Sequence, residues 1–314
     1  MLWYENISYR DYNVYNDIPA LLNEHPELNH TEAIIFLVNH DNGFGSNLTT
    51  IIQFSNYLKQ INNCLHCLGY FYENGYNFKY HDINYNNSFF LYFKYLKEIP
   101  ENIPYYFLSM ANNQNIPFII PQRIDDLNVN NIPINALFAD HFKENFELKI
   151  DISHVVNNIA NIKNLGKPLI GIHIRSFAQI CVEKGNTNHT IESRILLLKN
   201  KLDNLYGNYN IFVITDVSEY INIFKTFYLN TNVQIYYNDF ISRIDNHGNG
   251  IDGPLYGYND SMINLSEFTG IKLGSDILYD CVSLIHCDFY YVSVTNIAFI
   301  TSFINKNNNG IHYN

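Results

Sequence analysis

PLIGIHIR at residues 168–175, TIESRILLLKNKLDNLY at 190–206 and YNIFVITD at 209–216 decide the fold class. The first and third segments are short, apolar on both faces and rich in Ile and Val, as strands buried in a parallel sheet are. The second is an amphipathic helix between them. A strand, a helix and a second strand in that order form a right-handed crossover unit, which makes the sheet parallel. The pattern continues downstream. SEYINIFKTFY (218–228) reads as a helix, NVQIYY (232–237) as a strand and SDILYDCVSLIHC (275–287) as a helix. DFYYVS (288–293) is then a strand and NIAFITSFIN (296–305) a closing helix. Between them, DNHGNGIDGPLYGYND (245–260) is a long polar loop.

Working outward towards the amino end, AIIFLV at 33–38 is another buried strand, and TTIIQFSNYLKQI (49–61) is an amphipathic helix. LHCLGYFY (65–72) is expected to be a strand, residues 86–111 are expected to be largely helical, and IPFIIP (116–121) is a proline-bounded strand. A chain of 314 residues accommodates two domains. The boundary is expected near NIKNLGKP, giving an amino-terminal domain of residues 1–165 and a carboxyl-terminal domain of 166–314.

Composition limits the function. A formal charge of -11, from 19 Lys+Arg against 30 Asp+Glu, argues against broad nucleic-acid binding, which needs a basic footprint. The arginines are Arg10, Arg123, Arg175, Arg194 and Arg243. Asn fills about one position in six, a bias given little functional weight. The chain opens MLWYENISYRDY, without a basic n-region and apolar h-region, and has no 18-residue apolar stretch. Neither a secretory signal nor an integral membrane segment is expected, and a cytoplasmic location is. Five cysteines, an odd number, favour reduced thiols. Cys64-Leu65-His66-Cys67 resembles half a zinc site without a second half, so buried structural cysteine is the expectation and no metal is.

Several residues could carry chemistry. Gly43 and Gly45 stand between a strand and a helix, where absent Cβ atoms let backbone N–H groups approach a ligand. A plain structural turn would look the same, and the full GxGxxG fingerprint is missing. His173 and Arg175 end the strongest strand, at the sheet edge where open α/β folds bind ligands. Arg175 offers a planar fork of donors to a diphosphate; an exposed Arg beside a hydrogen-bonded His is the bland alternative. Asp216 ends the next strand. Asp276 and Asp280 share a helical face. Thr295 and Asn296 lie at a strand-to-helix turn suited to phosphate or, equally, to simple capping. No Asp-x-Asp, GxSxG, HExxH or complete P-loop is present.

The ordered set GFGSN, GIHIR, ITD and GSDILYDCVSLIHCDFYYVSVTN resembles the superfamily of α1,6-fucosyltransferases, protein O-fucosyltransferases and nodulation fucosyltransferases. The resemblance is concentrated in residues 168–304. Gly274, Asp280, Cys287, Asp288 and the Ser293–Thr295 turn match the family's last block. It implies a GT-B fold of two facing Rossmann-like domains, with GDP-fucose held mainly by the carboxyl-terminal one. It also implies inverting transfer to a glycan acceptor without an essential metal or other cofactor. Arg175 then corresponds to the diphosphate contact, with His173 beside it. Asp280 is implied in guanine recognition or donor-pocket organisation, Thr295 beside the diphosphate, and Asp216 in holding the donor region. Glu183 matches the acceptor-side carboxylate that removes the hydroxyl proton, although an exposed loop Glu is also open.

One departure matters. Many relatives carry two adjacent arginines, whereas Ser176 follows Arg175 here, and Lys184 or Arg243 would have to compensate. Transfer from another GDP-sugar, or noncatalytic glycan or nucleotide binding on the same fold, are the alternatives.

Overall fold

The computed structural model of the chain describes residues 2–8, 14–38, 44–72, 82, 84–109, 132–174, 190–215, 217–241, 243, 270–292, 296–305 and 311–313. It forms two compact units. The first comprises Met1–Ile150, Thr269–Ile277 and Ser302–Lys306. The second comprises Asp151–Phe268, Leu278–Thr301 and Asn307–Asn314.

The first unit is built on β1 (Val14–Tyr15), β2 (Ala33–Val38), β3 (Leu65–Tyr70) and β5 (Tyr105–Ser109), in the order β1-β5-β2-β3. Every pairing in it is parallel. Helix α1 (Ile18–Glu24) starts at Asp17, whose carboxylate accepts the Ala20 N–H at 2.8 Å, an N-cap. Helix α2 (Phe44–Ile61) makes the crossover from β2 to β3. All six residues of β2 and of β3 are buried, as the unbroken apolar run of AIIFLV requires. Gly69 lets β3 approach its neighbours closely, since a Cβ there would stand 2.4 Å from the Phe89 ring and 2.6 Å from Ile51.

The helix expected over residues 86–111 is a correction. Among the described residues of that span only the single turn α3 (Phe89–Tyr92) is helical, and it passes directly into β4 (Phe93–Tyr95), with β5 following. Phe93 and Tyr95 are buried while Lys94 is exposed, a period of two. Pro100 and Pro104 exclude a continuous helix beyond that point. β4 pairs antiparallel with β6 (Phe146–Leu148), placing Phe93 opposite Leu148 and Tyr95 opposite Phe146. Helix α4 (Ile132–Asn145) precedes β6. The strand expected at 116–121 lies outside the described residues.

The second unit follows the sequence reading closely. After α5 (Ser153–Lys163) come β7 (Leu169–Ile174), α6 (Ile191–Tyr206), β8 (Asn210–Thr215), α7 (Ser218–Phe227) and β9 (Ile235–Tyr236). Then follow α8 (Gly270–His286), β10 (Phe289–Val292), α9 (Asn296–Ile304) and β11 (Ile311–Tyr313). The five strands are parallel, in the order β11-β10-β7-β8-β9.

Alternation of side chains gives this sheet two apolar faces. Ile170, Ile172, Ile174, Ile211 and Val213 pack with Ile195, Leu198 and Leu202 of α6 and Tyr220, Ile221 and Phe224 of α7. Leu169, Phe212, Ile214 and Tyr290 pack on the other side with Ile159 and Ile162 of α5 and Leu284 of α8. Thr190 caps α6, its hydroxyl accepting the Ser193 N–H at 3.2 Å, and Gly207 ends that helix at φ +65°, where a side chain would be strained. Two Rossmann-like parallel α/β units in one chain are what the GT-B expectation requires.

Candidate functional site

In the second sheet the chain starts at the central β7, winds out through β8 to β9, and returns to β10 on the opposite side of β7. The reversal between β7 and β10 is a topological switch point, and the crevice outside the carboxyl ends there is where open α/β sheets take ligands. Register aligns those ends. Ile174 pairs with Thr215, and His173 stands between Ile214 and Val292. Arg175, Asp216 and residues 293–295 follow these strands in the chain. They lie outside the described residues, as do Gly43, Glu183, Lys184, Cys181 and the polar loop at 245–260.

The described candidates fall into distinct environments. His173 is buried and shares its strand face with Leu169 and Gly171 by parity. Gly171 admits α8, because a Cβ there would come within 2.9 Å of Leu284 and 3.0 Å of the Cys287 Sγ. Gly45 is buried within the first turn of α2, and Asn296 is the first residue of α9.

Asp280 is buried on α8, and its Oδ1 accepts a hydrogen bond from Asn238 Nδ2 at 3.1 Å. The same amide nitrogen donates to Ser283 Oγ at 2.9 Å. Asn238, two residues beyond β9, is 0% exposed. Its Oδ1 has no partner among the described residues. Asp276, one turn before Asp280, is also buried but belongs to the other compact unit and pairs with Lys272 at 2.7 Å.

Arg243 reaches the same edge. Its Nε donates to the Thr215 carbonyl at 3.1 Å. Its Nη1 donates to the carbonyls of Asn238 at 2.5 Å and Ile241 at 3.2 Å. One guanidinium therefore braces the end of β8 against the segment leaving β9. It lies 5.5 Å from the Tyr237 ring centroid, and Lys225 lies 4.7 Å from that ring. Beside this cluster, His154, Phe240 and Tyr279 form an aromatic group with centroids 4.8–5.8 Å apart. Sequence reasoning had named Arg243 only as a compensating cation and had missed Asn238. The available signal was a polar residue just past a strand end, masked by the abundance of Asn.

Two motif residues turn out to be architectural. Asp288 lies at the amino end of the sheet. Its Oδ2 accepts the Leu169 N–H at 2.9 Å and its Oδ1 pairs with Lys163 at 2.7 Å, which pins the start of β7. Gly274 is small because a Cβ would stand 2.5 Å from the Tyr92 ring. Cys67, Cys281 and Cys287 are buried free thiols, and burial pushes the thiol of Cys281 up to about 12. Cys64 is exposed rather than buried, because it falls in the turn before β3. Among the described residues no group of three or more His, Cys, Asp or Glu is arranged to hold a metal ion. No described helix is long and apolar enough to cross a membrane.

No protein-family model matches the chain, and no curated protein matches it. Solved structures with a similar backbone include the fucosyltransferase NodZ from Bradyrhizobium, at 14% identity and TM-score 0.46, covering 87% of this chain and 93% of that one. A point mutant of Arabidopsis thaliana FUT1 in complex with GDP is 11% identical at TM-score 0.43, covering 94% and 73%. POFUT1 in complex with GDP-fucose is 11% identical at TM-score 0.37, covering 92% and 78%. These are likenesses of backbone alone.

Proposed function

We propose that this chain is an inverting, metal-independent glycosyltransferase that moves fucose from GDP-fucose to a glycan hydroxyl. The observation that carries the reading is the register of β7, β8 and β10, whose carboxyl ends stand level at a switch point. The motif residues Arg175, Asp216 and Thr295 follow those ends in the chain. Residues 166–314 form the donor side in this reading and residues 1–165 the acceptor side. A cytoplasmic setting, suggested by the five cysteines, belongs to the same proposal.

In the proposed reaction the acceptor oxygen attacks the anomeric carbon of fucose from the face opposite the diphosphate. The new C–O bond forms as the bond to the diphosphate oxygen breaks, and GDP leaves with the electron pair. Glu183 takes the acceptor's proton. Arg175 and backbone N–H groups stabilise the charge gathering on the diphosphate, which is where preorganised donors accelerate a reaction. Asp280, held by Asn238, organises the nucleotide end.

A panel of nucleotide sugars, incubated with glycan acceptors in excess chelator and analysed for product by mass spectrometry, tests this. Transfer from GDP-fucose alone is the expected result. Transfer from a different GDP-sugar corrects the donor. Activity restored only by Mn²⁺ or Mg²⁺ contradicts the metal-free mechanism. Nucleotide binding with no turnover identifies a noncatalytic binding protein, the reading that Ser176 in place of a second arginine favours.

A further inference from the structure

We infer that Arg243 is a second anion contact of the carboxyl edge, offering Nη2 to an oxygen of a bound diphosphate while its other nitrogens brace β8 and β9. This deepens the proposed function and rests on its reading that a diphosphate binds at this edge.

A guanidinium has five N–H donors. In Arg243 the Nε and Nη1 donors go to three backbone carbonyls, those of Thr215, Asn238 and Ile241. Nη2 is shut off from water and meets no acceptor among the described residues. The side chain is half-buried, and a donor that meets neither water nor an acceptor is costly. Nor does a carboxylate neutralise it: no ion pair of Arg243 is formed among the described residues. Of the described acids nearby, Asp280 bonds to the Asn238 amide and Asp239 is exposed.

The surroundings favour an anion from outside the chain. In a protein of net charge -11, Arg243 and Lys225 flank the Tyr237 ring immediately beyond β9. Asn238 Oδ1, fully buried beside Arg243, lacks a donor just as Nη2 lacks an acceptor. The edge is therefore short of one acceptor and one donor. A phosphoryl oxygen supplies the acceptor that Nη2 lacks. A sugar without phosphate leaves the cation unmatched.

Only five arginines make the test direct. Wild-type protein labelled with ¹⁵N-arginine gives five Nε–H signals, and Arg243→Lys identifies the relevant one by its loss. Should R243K not fold, single Lys substitutions at the other four arginines assign it by elimination. Inorganic pyrophosphate and then GDP are titrated into the wild type. The expected result is a saturable shift of the Arg243 signal with both ligands. R243K should also weaken pyrophosphate binding by about tenfold to a hundredfold, the range for one charge-assisted hydrogen bond. A shift at Arg175 with none at Arg243, and unchanged affinity in R243K, would make Arg243 a brace and overturn the inference. Failure of both ligands to bind overturns this inference together with the donor-site reading. A shift at Arg243 without sugar transfer to any acceptor sustains the inference and sinks the transferase reading alone.

Discussion

The two units bury polar side chains in different ways. In the first unit they close on one another. Asn87 accepts the N–H groups of Phe71 and Phe89, each at 3.0 Å, and donates to the Gly69 carbonyl at 2.9 Å. His66 bridges the Tyr95 hydroxyl at 3.0 Å and Glu32 at 2.9 Å. His141 faces Ser55 Oγ at 2.7 Å through Nε2 and Asn145 Nδ2 at 3.4 Å through Nδ1. Lone orphans occur in both units, Thr49 Oγ1 in the first and Arg194 Nη1 in the second. In the second unit, Asn238 and Arg243 sit side by side and each leaves an atom unmatched. Closed networks stabilise a fold; an open pair at a sheet edge is suited to a ligand.

His141 shows why a closed network is not a catalytic one. With Asn145 donating to Nδ1, the ring proton belongs on Nε2 and is donated to Ser55. A general base would need the opposite tautomer, accepting the serine proton. The Ser–His–Asn grouping is thus a tie between α2 and α4.

The sharpest way to break the contrast is to remove its two asparagines. Asn87→Ala strands two N–H donors and a carbonyl in the interior and should cost about 3 kcal/mol or more. Asn238→Ala removes the two Nδ2 hydrogen bonds, to Asp280 Oδ1 and Ser283 Oγ, but also removes an orphaned oxygen, so about 1–2 kcal/mol is expected. Urea unfolding of both variants measures the gap; equal losses would erase the distinction between the units.

The second effect is on pH dependence. Burial first, and then the positive charges of Lys59 and Lys97, lower the His141 pKa from 6.5 to about 4. The folded state holds this imidazole neutral where an unfolded chain has already bound a proton. Stability from this group is therefore complete above about pH 6.5 and is lost as pH falls towards 4. The total is about 3.5 kcal/mol, at roughly 1.4 kcal/mol per pH unit. His141→Gln should flatten that part of the profile in urea unfolding; an unchanged slope would contradict the assignment.

Packing at Gly171 comes next. Gly171→Ala puts a methyl against Leu284 and Cys287 and should cost about 1–3 kcal/mol through strain on α8. Thr190→Ala, which removes only the cap of α6, should cost about 1 kcal/mol. Thermal unfolding ranks the pair, and a larger loss at Thr190 would mean that α8 yields easily.

The second unit was legible because its strands are Ile- and Val-rich runs between amphipathic helices, one introduced by the Thr190 cap. In the first unit, FFLYFKYL at 89–96 has no clear period, and β4 becomes a strand only by pairing with β6 some fifty residues later. Pro100 and Pro104 carried enough information to reject a helix to residue 111. The ligand-facing edge was readable from strand-end charges, whereas the switch point between β7 and β10 needed the strand order. The partnership of Asn238, Asp280 and Arg243 was not, because it depends on where the chain returns after β9. Abundance also hid the asparagines that matter: Asn87 and Asn238 look like every other Asn in the sequence.

We propose, above all, that the carboxyl edge of the second unit binds the diphosphate of a nucleotide-sugar. Arg175→Ala, compared with wild type for unfolding, GDP affinity and fucose transfer under identical conditions, tests it most directly. Arg175 follows the last residue of β7, so truncation should leave unfolding nearly unchanged. Loss of one charge-assisted hydrogen bond, about 1.5–3 kcal/mol, should lower transfer by roughly tenfold to more than a hundredfold. A well-folded variant with normal GDP affinity and normal transfer would contradict the account.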